Sequence, residues 1–264
     1  MSTSCQWGDF FLENEEKMLQ KRLLELSRRA DARGIYTYTD FLTLAEQDVL
    51  CRMERQLSAP FRWMGGFEGA ERRIACFGRE EELGYPPSEP IVCLRAAPAN
   101  ARFAGDLGHR DFLGAVMGLG VRREKLGDIL IHDKTGYLFC LEEIADFLCE
   151  ELTQAGRTTL VTKRGTPPEA AVELPEETDL VVASERMDAV IAAVWRISRS
   201  ESQAFFPKEL VFINGRVVPS PSHTLEEGDT VSVRGKGRFR YEGIQRETKK
   251  GRLRVTVRIF GGRS

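Results

Sequence analysis

The sequence has little that would place this protein in a membrane, outside the cell or around a metal ion. No apolar run approaches the ~18 residues that a membrane-spanning helix needs, and the first ten residues lack the charged start and apolar centre of a signal peptide. The six cysteines include no Cys-x-x-Cys pair, and only three histidines occur, far apart. We therefore expect a cytoplasmic protein with reduced thiols and without membrane insertion, bound metal or cofactor.

Catalytic motifs are equally scarce. His109-Arg110-Asp111 resembles part of a kinase catalytic loop, but Val116 stands where that loop needs Asn. Gly235-Lys236-Gly237 has the composition of a phosphate loop but lacks the Gly-x-x-x-x-Gly-Lys-Ser/Thr spacing. The sequence therefore favours a binding protein over an enzyme.

Charge is divided unevenly along the chain. The formal net charge is only −2, but residues 182–264 hold 16 Lys and Arg against 9 Asp and Glu, whereas residues 1–181 hold 22 against 31. From residue 230 onward the counts are 11 and 2. This asymmetry predicts that the C-terminal third binds an anionic partner such as nucleic acid.

Hydrophobic periodicity and turn signals divide the chain into four segments of an α+β protein. Residues 1–83 are predicted as an N-terminal helical domain with a β extension. Residues 84–165 have the order β-α-β-β-α-β, which is the plan of ferredoxin-like folds and of RNA-recognition modules (RRM-like). Residues 166–181 are rich in proline and acids and are predicted as a linker. Residues 182–264 form a C-terminal domain.

Two aromatic residues, Tyr137 and Phe139, alternate on one face of the third strand predicted for the middle domain. RNA-recognition modules stack bases on aromatic side chains of this strand. The full motif of those modules is absent here. Base stacking is therefore one alternative, and ordinary packing beneath a covered sheet face, which we favour, is the other.

The C-terminal third shows signals for two short helices and a β-sheet. Ser184 is placed to cap the first helix, and Ser198 with Glu201 has the spacing of a capping box at the second. Asn214-Gly215 between two β-prone runs predicts a tight hairpin, because both turn residues need positive φ. Further on, arginines alternate with apolar residues, which predicts a sheet with one buried and one basic face.

In this order, the motifs resemble an S4 RNA-binding domain. They are Arg186-Met187-Asp188, Ser198-Arg199-Ser200, Val211 to Gly215, Gly228-Asp229 and Val231 to Arg234. The resemblance implies a domain of two helices and a small basic sheet that binds RNA, with Arg186 and Arg199 facing the RNA. Phe206-Pro207-Lys208 departs from the family pattern, since Pro207 is expected to end the second helix early.

The candidate RNA-binding residues are polar or basic side chains of this domain that would contact phosphates. They are Arg186, Arg199, Ser200, Lys208, Asn214, Arg234, Lys236, Arg238, Arg240, Lys249, Lys250, Arg252 and Arg254. Backbone donors at the start of the second helix also suit an anion. No catalytic residue is proposed.

Arg199 is the leading candidate because its position is unfavourable for a structural role. It follows the cap at Ser198, so it lies in the first helical turn, where the helix dipole disfavours a cation. Ser202 and Gln203 occupy the positions three and four residues on, so no carboxylate is available there. We therefore expect Arg199 to bind an external anion.

A second resemblance covers nearly the whole chain. Gly108 to Met117, Leu119-Gly120 and Gly127-Asp128-Ile129, together with Val233 to Phe239, are similar to the YlmH family. The resemblance implies a cytoplasmic bacterial RNA-binding protein, linked to obstructed large ribosomal subunits that carry peptidyl-tRNA and encoded near cell-division genes.

The expectation is therefore a monomeric, non-enzymatic factor that binds ribosomal RNA of the large subunit in translation quality control, with tRNA as a further candidate ligand. Two alternatives remain open. One is an RNA-modifying enzyme that uses the S4 domain only for delivery. The other is an adaptor for the cell-division machinery.

Overall fold

The computed structural model describes residues 3–100, 102, 105–248 and 251–260, with side chains from residue 14 onward. The chain forms two compact units, Met1–Glu173 and Leu174–Ser264, and each mixes helices with sheets. This is the α+β class expected from the sequence. None of the helices in the described ranges has the length and apolarity to span a bilayer.

The first unit begins with helices around a three-stranded sheet of order β1-β3-β2. The elements are α1 (Thr3–Arg33), β1 (Thr37–Tyr38), α2 (Leu44–Arg52), β2 (Phe61–Met64), β3 (Ile74–Phe77) and α3 (Glu80–Leu83). Leu23 and Leu26 of α1 are buried against Leu50 of α2 and Phe77 of β3. This apolar cluster is the helical stripe that the sequence predicts.

The rest of the first unit is built on a five-stranded antiparallel sheet of order β5-β6-β4-β8-β7. Its elements are β4 (Ile91–Pro98), α4 (His109–Gly118), β5 (Leu126–His132), β6 (Thr135–Leu141), α5 (Ala145–Glu151), β7 (Gln154–Ala155), β8 (Thr158–Arg164) and α6 (Glu169–Val172). Phe112 and Val116 of α4 and Leu148 of α5 pack on Leu94 and Leu138, so both helices cover one face.

The opposite face of this sheet is covered at one end by residues from the first 83. The Phe67 ring lies 4.8 Å from the Phe139 ring. Gly66 has φ 84°, and a Cβ there would lie 2.5 Å from the Phe139 ring, so only glycine allows this approach. Tyr137 and Phe139 are 7% and 2% exposed. Of the two alternatives for these aromatics, the structure agrees with packing beneath a covered face.

Polar contacts also join residues 1–83 to residues 84–165, which the sequence predicts as separate domains. The Asp128 carboxylate accepts the main-chain N–H groups of Glu71 (2.6 Å) and Arg72 (3.3 Å). The Arg72 guanidinium donates to the carbonyl oxygens of Leu126 (3.0 Å) and Phe41 (3.1 Å). Burial raises the pKa of Asp128 to about 6, although these donors and nearby cations oppose the rise. Both segments therefore belong to one compact unit.

The second unit has a six-stranded antiparallel sheet of order β11-β10-β12-β13-β14-β9. Its elements are β9 (Glu177–Val182), α7 (Met187–Trp195), α8 (Arg199–Gln203), β10 (Val211–Ile213), β11 (Arg216–Val217), β12 (Thr230–Val233), β13 (Gly237–Glu247) and β14 (Leu253–Phe260). Val190 and Ile191 of α7 pack on Phe239, Tyr241 and Val255, so α7 covers one face of the sheet.

The strand β9 corrects the predicted linker. Residues 177–181 were expected within it, but together with Val182 they form β9, which pairs with β14 from Glu177–Arg258 to Val182–Leu253. Val182 enters the core, whereas Glu177 and Asp179 point away from it. Acidic residues at alternate positions gave this short strand the composition of a linker, because they lie on its solvent side.

Two local predictions for the second unit have different outcomes. Asn214 and Gly215 have φ angles of 48° and 80°, so the predicted hairpin turn is confirmed. Ser184 does not cap the first helix, which begins at Met187. The first helical N–H groups, of Met187 and Asp188, donate instead to the carbonyl oxygens of His223 and Pro221. A distant loop therefore supplies the acceptors.

We predict that residues 174–264 fold alone, and that residues 183–264 are less stable because they lack β9. Loss of six cross-strand pairs should cost about 2 kcal/mol or more, which lowers the melting temperature by roughly 8–16 °C in a domain of this size. Thermal melts of both fragments by circular dichroism measure the difference. Equal melting temperatures would show that β9 does not stabilise the sheet.

Candidate nucleic-acid interface

The candidate interface is built around one buried carboxylate. Asp188 has a fully buried side chain. Arg186 donates Nε and one terminal nitrogen to its two oxygens at 3.2 Å each, and Arg199 does the same at 3.1 Å. Gln203 adds a hydrogen bond of 2.7 Å. Two forked guanidinium–carboxylate pairs therefore share a single Asp.

Packing of the two short helices brings these side chains together. Arg186 immediately precedes α7, Asp188 is its second residue, and Arg199 begins α8. Ser202 of α8 is buried and donates its hydroxyl to the carbonyl oxygen of Asp188 at 2.8 Å, which fixes the start of α8 against the start of α7. A carboxylate in a first helical turn also suits the helix dipole.

These contacts decide the ionisation of Asp188. Burial alone would raise its pKa, but the hydrogen bonds from Arg199, Arg186 and Gln203 outweigh burial and lower the pKa to about 2. Asp188 is therefore charged at neutral pH. It offsets one of the two arginine charges and leaves a net charge of +1 on the cluster.

The partner of Arg199 corrects the sequence argument. We expected no carboxylate near this residue, because only positions three and four residues along its own helix were considered. The partner is Asp188, eleven residues earlier and on the other helix. Arg186 and Arg199 nevertheless remain 40% and 46% exposed. Each guanidinium has five N–H donors and uses two on Asp188, so donors remain for an external anion.

The remaining candidates on the helices and the strand turn differ in their surroundings. Ser200 is exposed, with its hydroxyl 3.1 Å from that of Ser198. Ser198 caps α8 by accepting the Glu201 N–H, but the reciprocal half of the predicted capping box is not formed, since the Glu201 carboxylate lies near Lys236. Lys208 is exposed in a 3-10 turn that contains Pro207, and α8 ends before it at Gln203. The expected early end of this helix is confirmed.

The turn between β12 and β13 lies next to α8. Lys236 Nζ is 3.7 Å from the Glu201 carboxylate, with the Lys side chain 36% exposed. Arg234 is exposed and lies over the Phe212 ring at 4.7 Å. This turn therefore places two cations beside the helix that carries Arg199.

The sheet face away from the helices is less basic than predicted. Arg240 donates to Glu242 at 2.9 and 3.1 Å, Arg258 contacts Glu242 and Glu177, and Arg254 lies 3.9 Å from Asp179. Residues 174–264 hold 16 Lys and Arg against 12 Asp and Glu. The acids of β9 thus reduce the charge excess that was predicted for residues 182–264.

Five further candidates complete the set. Arg238 stacks on the Phe260 ring at 4.8 Å, and burial lowers its pKa. Asn214 is used within the fold, since it donates to Asp229 and accepts the Thr230 N–H, both at 3.0 Å. Arg252 is exposed beside the hairpin loop. Lys249 and Lys250 lie outside the described residues.

Sequence reasoning missed the two groups that organise this surface, Asp188 and the acids of β9. Asp188 stands in the Arg186-Met187-Asp188 motif, so its signal was present and was taken as part of the S4 pattern only.

Across the part of the chain that the structure describes, no group of three or more His, Cys, Asp or Glu residues is arranged to hold a metal ion.

Comparison with known proteins assigns the family. Residues 95–166 match a family model described as "Putative RNA-binding domain in YlmH". The chain is also 34% identical over 250 residues to the "Ribosome-associated protein quality control protein P2" of Bacillus subtilis (strain 168), with 92% of this chain and 94% of the relative covered. The chain belongs to the YlmH family. The resemblance to the YlmH family is thereby confirmed.

A solved structure gives a further similarity. The "Cell division protein ylmH from Streptococcus pneumoniae" matches with a TM-score of 0.47 and 17% identity, covering 58% of this chain and 92% of that one. The YlmH family match at residues 95–166 falls in the first unit, and the Asp188 cluster lies in the second. The family description therefore refers to a part of the chain that contains none of the candidate RNA-binding residues, which lie between Arg186 and Arg254.

The low pKa of Asp188 predicts acid sensitivity. Its folded value lies below the ~3.9 of an unfolded Asp. Ionisation therefore stabilises the fold fully above about pH 4, and this contribution is lost as the pH falls toward 2. Two pKa units correspond to about 2–3 kcal/mol. Asp188→Asn should be destabilised by this amount at pH 7 and should lose less stability on acidification.

Urea unfolding of residues 174–264 measures both effects, because Trp195 is the only tryptophan in this range. Glu201→Gln is the matched control: its carboxylate is half-exposed and 3.7 Å from Lys236, so its loss should cost less than about 1 kcal/mol. If Asp188→Asn proved as stable as wild type at pH 7, the carboxylate would not hold the cluster together.

Proposed function

We propose that this protein binds RNA through the surface formed by Arg186, Arg199 and the turn carrying Arg234 and Lys236. The observation that carries the proposal is the pair of half-exposed arginines fixed by one buried Asp. The N–H groups that Arg186 and Arg199 do not use on Asp188 remain available for an external anion. A phosphate can therefore bind without first ordering two flexible side chains.

The proposed class of this module is the S4 domain. Its support is the order of motifs in the sequence together with two short helices packed on a small antiparallel sheet. For residues 84–165 we propose a ferredoxin-like module. The strand order β5-β6-β4-β8 and the two helices on one face support it.

The proposed cellular role is in ribosome-associated quality control, as a cytoplasmic, monomeric and non-enzymatic factor. The support is the name of the Bacillus subtilis relative, which aligns with 92% of this chain. We propose ribosomal RNA of the large subunit as the ligand, with peptidyl-tRNA as a further one. Crosslinking of RNA to the protein in cells, followed by sequencing, tests this. Recovery of mostly messenger RNA would contradict it.

Arg199→Ala should weaken RNA binding more than it weakens the fold. Loss of a charge-assisted contact should cost roughly 1.5–3 kcal/mol of binding. Asp188 keeps its hydrogen bonds from Arg186 and Gln203, so we expect the domain to stay folded with a stability loss of about 1–1.5 kcal/mol. Binding of large-subunit ribosomal RNA and thermal melting, measured on the same protein, compare the two effects.

Arg240→Ala is the matched control, because it removes the same charge from a cluster in which Glu242 and Glu177 neutralise both Arg240 and Arg258. It should reduce affinity less than Arg199→Ala does. Arg199→Lys should be intermediate, since it keeps the charge but loses the forked geometry. An Arg199→Ala protein that binds as wild type would remove Arg199 from the interface.

Binding should also depend strongly on salt. If about five phosphates are contacted, log affinity should fall against log salt with a slope of roughly −3.5 to −4.5, at about −0.7 to −0.9 for each phosphate. Filter binding between about 50 and 200 mM salt covers the range in which this effect is large. A slope near zero would contradict an interface of cations and phosphates.

A further inference from the structure

The first unit has an open surface that the proposed site does not include. On the sheet face away from α4 and α5, residues near Phe139 are covered by Gly66 and Phe67. Gly66 and Phe67 do not cover the side chains of β8 on this face: Lys163 is exposed, and Val161 is 56% exposed. One half of this face is therefore buried and the other half is accessible.

Strand register brings two cations together on the accessible half. Arg95 of β4 pairs with Lys163 of β8, and Ala97 pairs with Val161. These four side chains share one face because residues two apart on a strand point the same way. Leu94 and Leu160, one position before these pairs on β4 and β8, are buried in the core on the helix side.

These cations are not neutralised within the unit. Neither the Arg95 nor the Lys163 side chain forms an ion pair or hydrogen bond with any residue in the described ranges. Arg164, the next residue along β8, is by contrast held by Glu142 and Asp146. Residues 1–173 hold 22 Lys and Arg against 28 Asp and Glu. An exposed Lys163 beside a half-buried Arg95, neither of them paired, stands out in such an acidic unit.

A groove adjoins this pair. It has a volume of about 450 Å³, and Cys93 and Phe139 line it. Gly165 lines the groove and also lies directly beside Arg95. The acid of the groove, Glu89, accepts the Gly66 N–H at 3.0 Å. Glu89 lies before β4 begins at Ile91, whereas Arg95 is the fifth residue of that strand, so the carboxylate and the guanidinium stand at different positions along the sheet.

We propose that Arg95, Lys163 and Val161 form a second RNA contact, which binds the sugar-phosphate backbone along β8. The proposal rests on the proposed function, RNA binding, and adds a site in the other unit. The YlmH family match spans Arg95 to Thr166 and therefore contains the whole surface. Since Tyr137 and Phe139 are buried, the contact is made by charge and not by base stacking.

The test uses the full chain with Arg95→Ala and Lys163→Ala combined. Lys21→Ala with Arg28→Ala is the matched control, since both residues are exposed cations of the same unit. In filter binding to transcribed large-subunit ribosomal RNA, loss of two phosphate contacts should make the salt slope shallower by about 1.4–1.8. The control should keep the wild-type slope. Val161→Glu should weaken binding, and Val161→Thr should not.

The outcomes separate this proposal from the proposed function. Unchanged binding by the Arg95/Lys163 variant, with weakened binding by Arg199→Ala, would overturn the second contact alone. Unchanged binding by both would contradict the proposed function as well. Labelled poly-glutamate serves as an acidic-protein probe. If the Arg95/Lys163 variant lost poly-glutamate binding but kept RNA binding, the surface would be a protein-docking face and the RNA contact would be wrong.

Discussion

The burial of one negative charge under two positive ones determines the surface of the second unit. A buried carboxylate without partners is costly, and Asp188 is held by Arg186, Arg199 and Gln203 together. The arginines in turn would repel each other without it. Helix packing and the shape of the cationic surface therefore depend on the same contacts. A substitution at Asp188 changes both together.

Asp128 in the first unit is a useful contrast. It too is buried near arginines, but its hydrogen bonds come from main-chain N–H groups and not from forked guanidinium groups. Desolvation then dominates, and its pKa rises to about 6, whereas that of Asp188 falls to about 2. The geometry of the donors, rather than the presence of cations, decides the sign of the shift.

Local patterns predicted much of the fold. The cap at Ser198, the turn at Asn214-Gly215 and the alternation along β14 depend on neighbouring residues, and the structure has all three. Features set by distant residues were missed. The strand β9 needs β14, more than seventy positions later, and Arg199 needs Asp188 on another helix. Counting charged residues likewise predicted the positive net charge of the second unit. It overestimated the size of that charge, because the count left out the acidic residues of β9.

The pairing of β9 with β14 also bears on how the second unit folds. These are the first and last strands of its sheet in sequence, yet they are neighbours in space. During synthesis, β9 emerges early and has no partner until residue 260 has left the ribosome. The sheet can therefore be completed only after β14 has been synthesised, through the contact with the longest loop and the largest entropy cost of closure.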